Sequence, residues 1–118
     1  MENFKHINLE YLKEISDGST DLVRDLINMF ISQVPTFSEQ LDNFYQSGDY
    51  ISLGKLAHKI KSSVAMMGIS ELTADMKILE NIAKEGKSVD NCPIYISKFK
   101  NISGEAIIEL NNILINLK

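Results

Sequence analysis

Apolar residues recur in steps of three and four along almost the whole chain, and that spacing leaves little but helices to build. Isoleucine is abundant and by itself favours strands, but the spacing overrides that propensity. Turn signals are few, with six Gly and two Pro, and they fall mainly between the periodic stretches. A short first helix is expected over about Asn8 to Ser16, with Leu9, Leu12 and Ile15 on one side and Asp17-Gly18 as its stop. Ser19 or Thr20 can cap a second helix running to about Tyr45, on a stripe of Val23, Leu26, Phe30, Val34, Phe37, Leu41 and Phe44. Pro35 lies inside it and predicts a kink or a loosened turn.

Asp49 caps a third helix whose stripe reads Leu53, Leu56, Ile60, Val64 and Met67, and Gly68 ends it. Ser70 is expected to cap the fourth, with Leu72, Met76, Leu79 and Ala83 buried and Gly86 as the stop. Lys87 to Cys92 reads as a connector. Pro93 fits the first turn of a fifth helix that carries Phe99, Ile102, Ala106, Leu110, Ile113 and Leu117. Four long amphipathic helices on short loops must be antiparallel neighbours. The expected fold is therefore all-α, an up-down-up-down four-helix bundle with a short additional N-terminal helix across one end, as one domain over residues 1–118. A chain of this length buries roughly two-thirds of its unfolded surface and can fold without staples.

Composition removes several classes of function. The apolar share of 44% excludes disorder, and a net charge of −4 argues against sequence-independent nucleic-acid binding. No apolar run is long enough to span a bilayer, and Met1-Glu2-Asn3-Phe4-Lys5 lacks a signal-peptide layout. A lone Cys92 forbids an internal disulfide and fits a reducing, cytoplasmic setting. There is no Glu-x-x-His pair for a di-iron bundle, no Cys-x-x-Cys for zinc, no Gly-rich phosphate loop and no kinase signature. His6 and Cys92 carry no assigned role.

His58 stands apart by position. At 100° per residue it lies about 160° from Ile60, so it should face solvent from the middle of a long helix. Its expected neighbours are Gly54, Lys55, Lys61 and Ser62, with Ala65 one turn on. Lys55, Lys59 and Lys61 make a positive patch on a net-negative chain. Gly54 costs about 1 kcal/mol of helix propensity relative to Ala, which suggests close approach by another body. A surface histidine on a solvated, lysine-rich face is the plain alternative.

Ala57-His58-Lys59-Ile60-Lys61-Ser62-Ser63, followed by Gly68, resembles the signature of histidine-containing phosphotransfer (HPt) domains. Gly48-Asp49 before the histidine helix, Leu79-Glu80 and Gly86 after it, and Phe30 with Pro35 upstream extend the likeness from about Ile7 to Leu114. Ser62 stands where that family usually has Gly, Ile60 where it has Leu, and Met66-Met67 precede Gly68 in place of a more polar pair.

The resemblance implies a phosphorelay protein. His58 would accept a phosphoryl group from a receiver-domain aspartate, or from a histidine kinase relay, and pass it to another receiver aspartate. Neutral imidazole offers the nucleophilic lone pair, and Lys55 and Lys61 are expected to favour that form. Lys61 would stabilise charge on the phosphoryl group. Gly54, Lys55, Lys59, Ser62 and Ala65 would meet the receiver of a response regulator or hybrid kinase. No cofactor of its own is expected, since the Mg²⁺ of such transfers would sit in the receiver's acidic cluster. The chain is expected to be a cytoplasmic monomer and a phosphocarrier without kinase activity, and its starting Met1 favours a free-standing protein over a piece of a hybrid kinase. The competing readings are an HPt-like helical adaptor without phosphorylation, which loss of His58 or Lys61 would have marked, and a metal- or cofactor-holding bundle.

Overall fold

A computed structural model describes residues 4–117; Met1 to Asn3, part of the N-terminal stretch read above, and Lys118 lie outside the described residues. Five α-helices follow in order: α1 (Leu9–Ile15), α2 (Thr20–Gln46), α3 (Tyr50–Met66), α4 (Ser70–Glu85) and α5 (Cys92–Asn116). A single 3₁₀ turn, Val89–Asn91, lies in the connector before α5. Among the described residues there is no strand, so the all-α expectation holds. α2 packs on α3, α3 on α4, α4 on α5 and α5 back on α2, which closes the four long helices into a ring around one core. The pair α3 and α4 is the most extensively packed of all.

The helix ends follow local chemistry. Ser19 caps α2 by accepting from the Leu22 N–H, and Asp49 caps α3 by accepting from the Ser52 N–H. Asn8 caps α1 in the same way, through the Tyr11 N–H. α2 runs unbroken through Pro35, whose ring is on the exposed side. Ser70 departs from expectation. It is the first residue of α4, and Ile69 holds the cap position with no side-chain cap. The cause lies in the turn before it. The Ile69 N–H bonds to the Val64 carbonyl and the Gly68 N–H to that of Ala65, a Schellman ending that drives Ile69 into the core at 1% exposure.

Helix length explains the N-terminal segment. α2 has 27 residues and α3 only 17, so α2 is longer by about 15 Å. α5, with 25 residues, also outruns α4. All the excess lies at the end where α3 turns into α4. α1 and the segment before it occupy that end. The Asn8 N–H donates to the Met67 carbonyl at 3.1 Å. The His6 and Ile7 N–H groups donate to Glu109 of α5, and His6 Nε2 lies 2.8 Å from Glu105. His6 is thereby a tie between the strap and α5. Cys92 is fully buried at the start of α5, where burial pushes its thiol up and away from thiolate.

Gly68 is where strap and turn meet. It has φ +73°, and a Cβ there would lie 2.4 Å from Asn8 Cβ and 3.0 Å from the Asn8 nitrogen. Gly48 has a similar φ of +72° with nothing near it. Both Gly→Ala changes incur the left-handed backbone penalty of about 1–2 kcal/mol. Gly68→Ala should cost clearly more than Gly48→Ala in denaturant unfolding, because it also drives Asn8 off the turn. Equal losses would mean that the strap gives way freely.

Candidate functional site

His58 is the central residue of α3, and its side chain is 62% exposed. The same helix buries Leu53, Leu56, Ala57, Ile60 and Val64, which turns the histidine outward as its spacing predicts. Its hydrogen-bond partner is a carboxylate. Nδ1 lies 2.9 Å from Oε2 of Glu80, on α4. An ionised carboxylate only accepts, so in the neutral ring Nδ1 carries the proton and Nε2 keeps its lone pair. The imidazole thus meets a buried carboxylate in addition to the lysines that the sequence places around it.

Glu80 is the residue that sequence reasoning missed as a member of the site. Its side chain is 6% exposed, and it gathers the surrounding cations. Lys61 Nζ lies 3.3 Å from Oε1 and Lys84 Nζ 3.0 Å from Oε2. Burial pushes the Glu80 carboxyl up. Hydrogen bonds from Lys84 and Lys61, with the charges of Lys61 and His58, outweigh burial and hold it below the usual carboxylate value. A signal was present: Glu80 is four residues after Met76 and three before Ala83, so it lies on the buried side of α4.

The six residues grouped by sequence around His58 divide into two flanks. About 40° to one side is Gly54 and about 60° to that side is Lys61; Ser62, Lys55 and Lys59 fall on the other side. Gly54 marks the α4 flank. It is buried, and a Cβ on it would meet Ala83 Cβ at 3.4 Å and Lys84 Cγ at 3.7 Å. The body that approaches Gly54 is therefore α4 of the same chain, which corrects its assignment to an exposed partner-binding face. Lys59 marks the α2 flank, with Nζ 5.8 Å from the centre of the Phe37 ring. Lys55 and Ser62 are exposed. Ala65 is half-buried and lines a groove beside Lys61, with Tyr11 and Gly68.

Among the described residues, no group of three or more His, Cys, Asp or Glu is placed to hold a metal ion, and no helix is long and apolar enough to cross a membrane. A second buried carboxylate, Asp75, faces the other way. Its Oδ1 takes a 3.0 Å bond from Lys98 of α5, and Oδ2 has no partner among the described residues.

The sequence profile of the Hpt domain family matches residues 25–116. Among solved structures, the crystal structure of histidine-containing phosphotransfer protein B (HptB) from Pseudomonas aeruginosa PAO1 is similar. It is 21% identical, with a TM-score of 0.89, over 98% of this chain and 100% of that one. No curated protein matches the sequence.

Glu80 links the site to acid stability. Its folded-state pKa is depressed, so its contribution is present above the unfolded carboxyl value of about 4.3 and is lost as pH falls through the lower folded value. Glu80→Gln should be less stable than wild type in denaturant at pH 7, and the gap should narrow on acidification below about pH 4. A gap that stays constant down to acid pH contradicts the depressed pKa. Gly54→Ala should raise stability by up to about 1 kcal/mol, because helix propensity improves and the added methyl sits at ordinary contact distance.

Proposed function

The chain belongs to the Hpt domain family, a family of phosphotransfer relay modules that work with kinases and receiver domains, and from that premise we propose that His58 is the residue that carries the phosphoryl group. The observation that supports this reading most is the pairing of His58 Nδ1 with buried Glu80 while the side chain stays exposed. In the proposed step, the Nε2 lone pair attacks the phosphorus of a receiver's aspartyl phosphate. The N–P bond forms as the P–O bond to the aspartate breaks, and the aspartate leaves as a carboxylate. Nδ1 keeps its proton throughout, and Glu80 balances the positive charge that the ring gains. Reversal of the same step on a second receiver completes the relay.

Phosphoryl transfer of this kind is mostly positioning and charge stabilisation. Lys61 is one helical turn from His58, and Glu80 holds its ammonium beside the ring. Its role is to face the phosphoryl oxygens. Ser62, Lys55 and Lys59 on the α2 flank, with Ala65, form the surface offered to an acidic receiver pocket. The receiver's own acidic cluster holds the Mg²⁺. Nothing in the described residues favours the adaptor reading, since His58, Lys61 and Glu80 form one connected group.

Incubation with a phosphorylated receiver should label the chain at His58 alone, with acid-labile, alkali-stable phosphate. His58→Gln should take up none while keeping its helical content. Label on that variant, or on His6, would falsify the assignment. Lys61→Ala should slow transfer roughly ten- to a hundredfold, less than the 10²–10³ typical of a buried oxyanion donor because Lys61 is partly exposed. Ser62→Leu should leave the helix as stable as before or more so, yet weaken receiver binding about tenfold, or ~1.4 kcal/mol. Binding equal to wild type would remove Ser62 from the docking surface.

A further inference from the structure

Glu80 holds one more cation than its charge requires. Its single negative charge is shared by two ammonium groups, Lys61 on Oε1 and Lys84 on Oε2. With His58 neutral, the group keeps one unbalanced positive charge at the exposed edge of the histidine. A phosphoryl group brings about −1.5 to −2 near neutral pH and would find that charge waiting. The two lysines also arrive from opposite ends. Lys61 comes from the turn of α3 after His58. Lys84 comes from α4, past Gly54 in the turn before it.

We propose that Lys84 is a second phosphoryl-binding cation, and that Gly54 is the positioning residue that lets its stem cross to the histidine. The proposal rests on His58 being the phosphorylated residue.

The simpler account of Lys84 is an ordinary pair at i and i+4 with Glu80, worth about 0.3–0.5 kcal/mol at an exposed site. Two observations go beyond it. Lys84 bonds the same oxygen, Oε2, that accepts from His58 Nδ1, at 3.0 Å and 2.9 Å. An ordinary pair at the helix surface would not need to share an acceptor with the imidazole. The lysine stem also lies over the one residue of α3 that has no side chain. A Cβ at Gly54 would touch Lys84 Cγ at 3.7 Å, and any longer side chain would occupy the path of the stem. Glycine there costs α3 about 1 kcal/mol of propensity. The Lys84 side chain stays two-thirds exposed, so its ammonium can turn from Glu80 to an incoming group without breaking the core.

The test uses the full chain phosphorylated by phosphoramidate, a small donor that needs no partner protein. The ³¹P shift of the phosphohistidine is followed against pH. A neighbouring ammonium favours the dianion and lowers the midpoint of its last ionisation. Lys84→Ala should raise that midpoint by about half a unit, and Lys84→Arg should restore it. Lys87→Ala, on the exposed connector, is the comparator and should not move it. Gly54→Leu should reproduce the Lys84→Ala shift by sweeping the stem aside. Transfer to a receiver should fall about three- to tenfold in Lys84→Ala. If wild type takes up no phosphate on His58, the phosphorylation reading fails and this inference with it. If wild type is labelled but Lys84→Ala titrates like Lys87→Ala, the inference alone is overturned.

Discussion

A carboxylate with 6% of its side chain exposed stays ionised only where donors replace the water it has lost. Glu80 meets that condition with three of them: His58 and Lys61 from α3, and Lys84 from its own helix. The rest of the site follows. The donors can converge only if α3 and α4 lie close together, and Gly54 against Ala83 sets that approach. The short Schellman turn through Gly68 and Ile69 fixes the hairpin, and the N-terminal strap locks the turn from outside. A single buried charge thus sets the ring tautomer of His58, holds Lys61 and Lys84 beside it, and depends on the packing of the most tightly joined helix pair in the bundle.

Asp75 shows what the same burial does without a histidine. It lies on the opposite flank of the α4 stripe, bonds Lys98, and leaves one oxygen without a partner among the described residues. The pairing raises the lysine's pKa through the Asp75 hydrogen bond, although desolvation works against it. Asp75 ties α4 to α5 as Glu80 ties α4 to α3. Only the Glu80 side presents an exposed histidine. Buried charge in this bundle therefore ties α4 to both of the helices it packs against.

Much of this was legible from residue order because helix spacing and capping are local. The stripes of Val23 to Leu41 and Leu53 to Val64, the caps Ser19 and Asp49, and the outward aspect of His58 all follow from neighbours within four positions. What escaped depends on the other helix. A helical wheel gives the angle between Gly54 and its own stripe, but it does not say that α4 passes 40° from His58 on that side. Gly54 therefore read as exposed. In the sequence Glu80 reads only as half of a Leu-Glu pair, since charged side chains are rarely buried, although Met76 and Ala83 place it on the inner face. Ser70 has the better capping chemistry, but the core's demand for Ile69 moved the helix start by one residue. In α2, Ile27 took the buried place expected of Leu26, a difference of one step on a stripe wide enough for both.

A relay carrier has a requirement that an ordinary enzyme site lacks. It must stabilise the phosphoryl group enough to accept it and little enough to surrender it. Bare lysines beside His58 would favour the loaded state strongly. Lysines already bonded to Glu80 do so less, because each must loosen one interaction to make another. In the proposed step both lysines begin bonded to Glu80, so loading would gain only the difference between the two interactions. Exposure works in the same direction, since His58 and Lys84 are each about three-fifths or more open to water, where screening weakens every charge interaction. The division of α3 into two flanks completes the logic. Glu80, Lys61 and Lys84 gather on the α4 side, while Ser62, Lys55 and Lys59 lie on the α2 side, the surface proposed above for a partner. A receiver docked mainly on the α2 flank would, on the proposal above, leave the Glu80 pairings in place until the phosphoryl group reaches them.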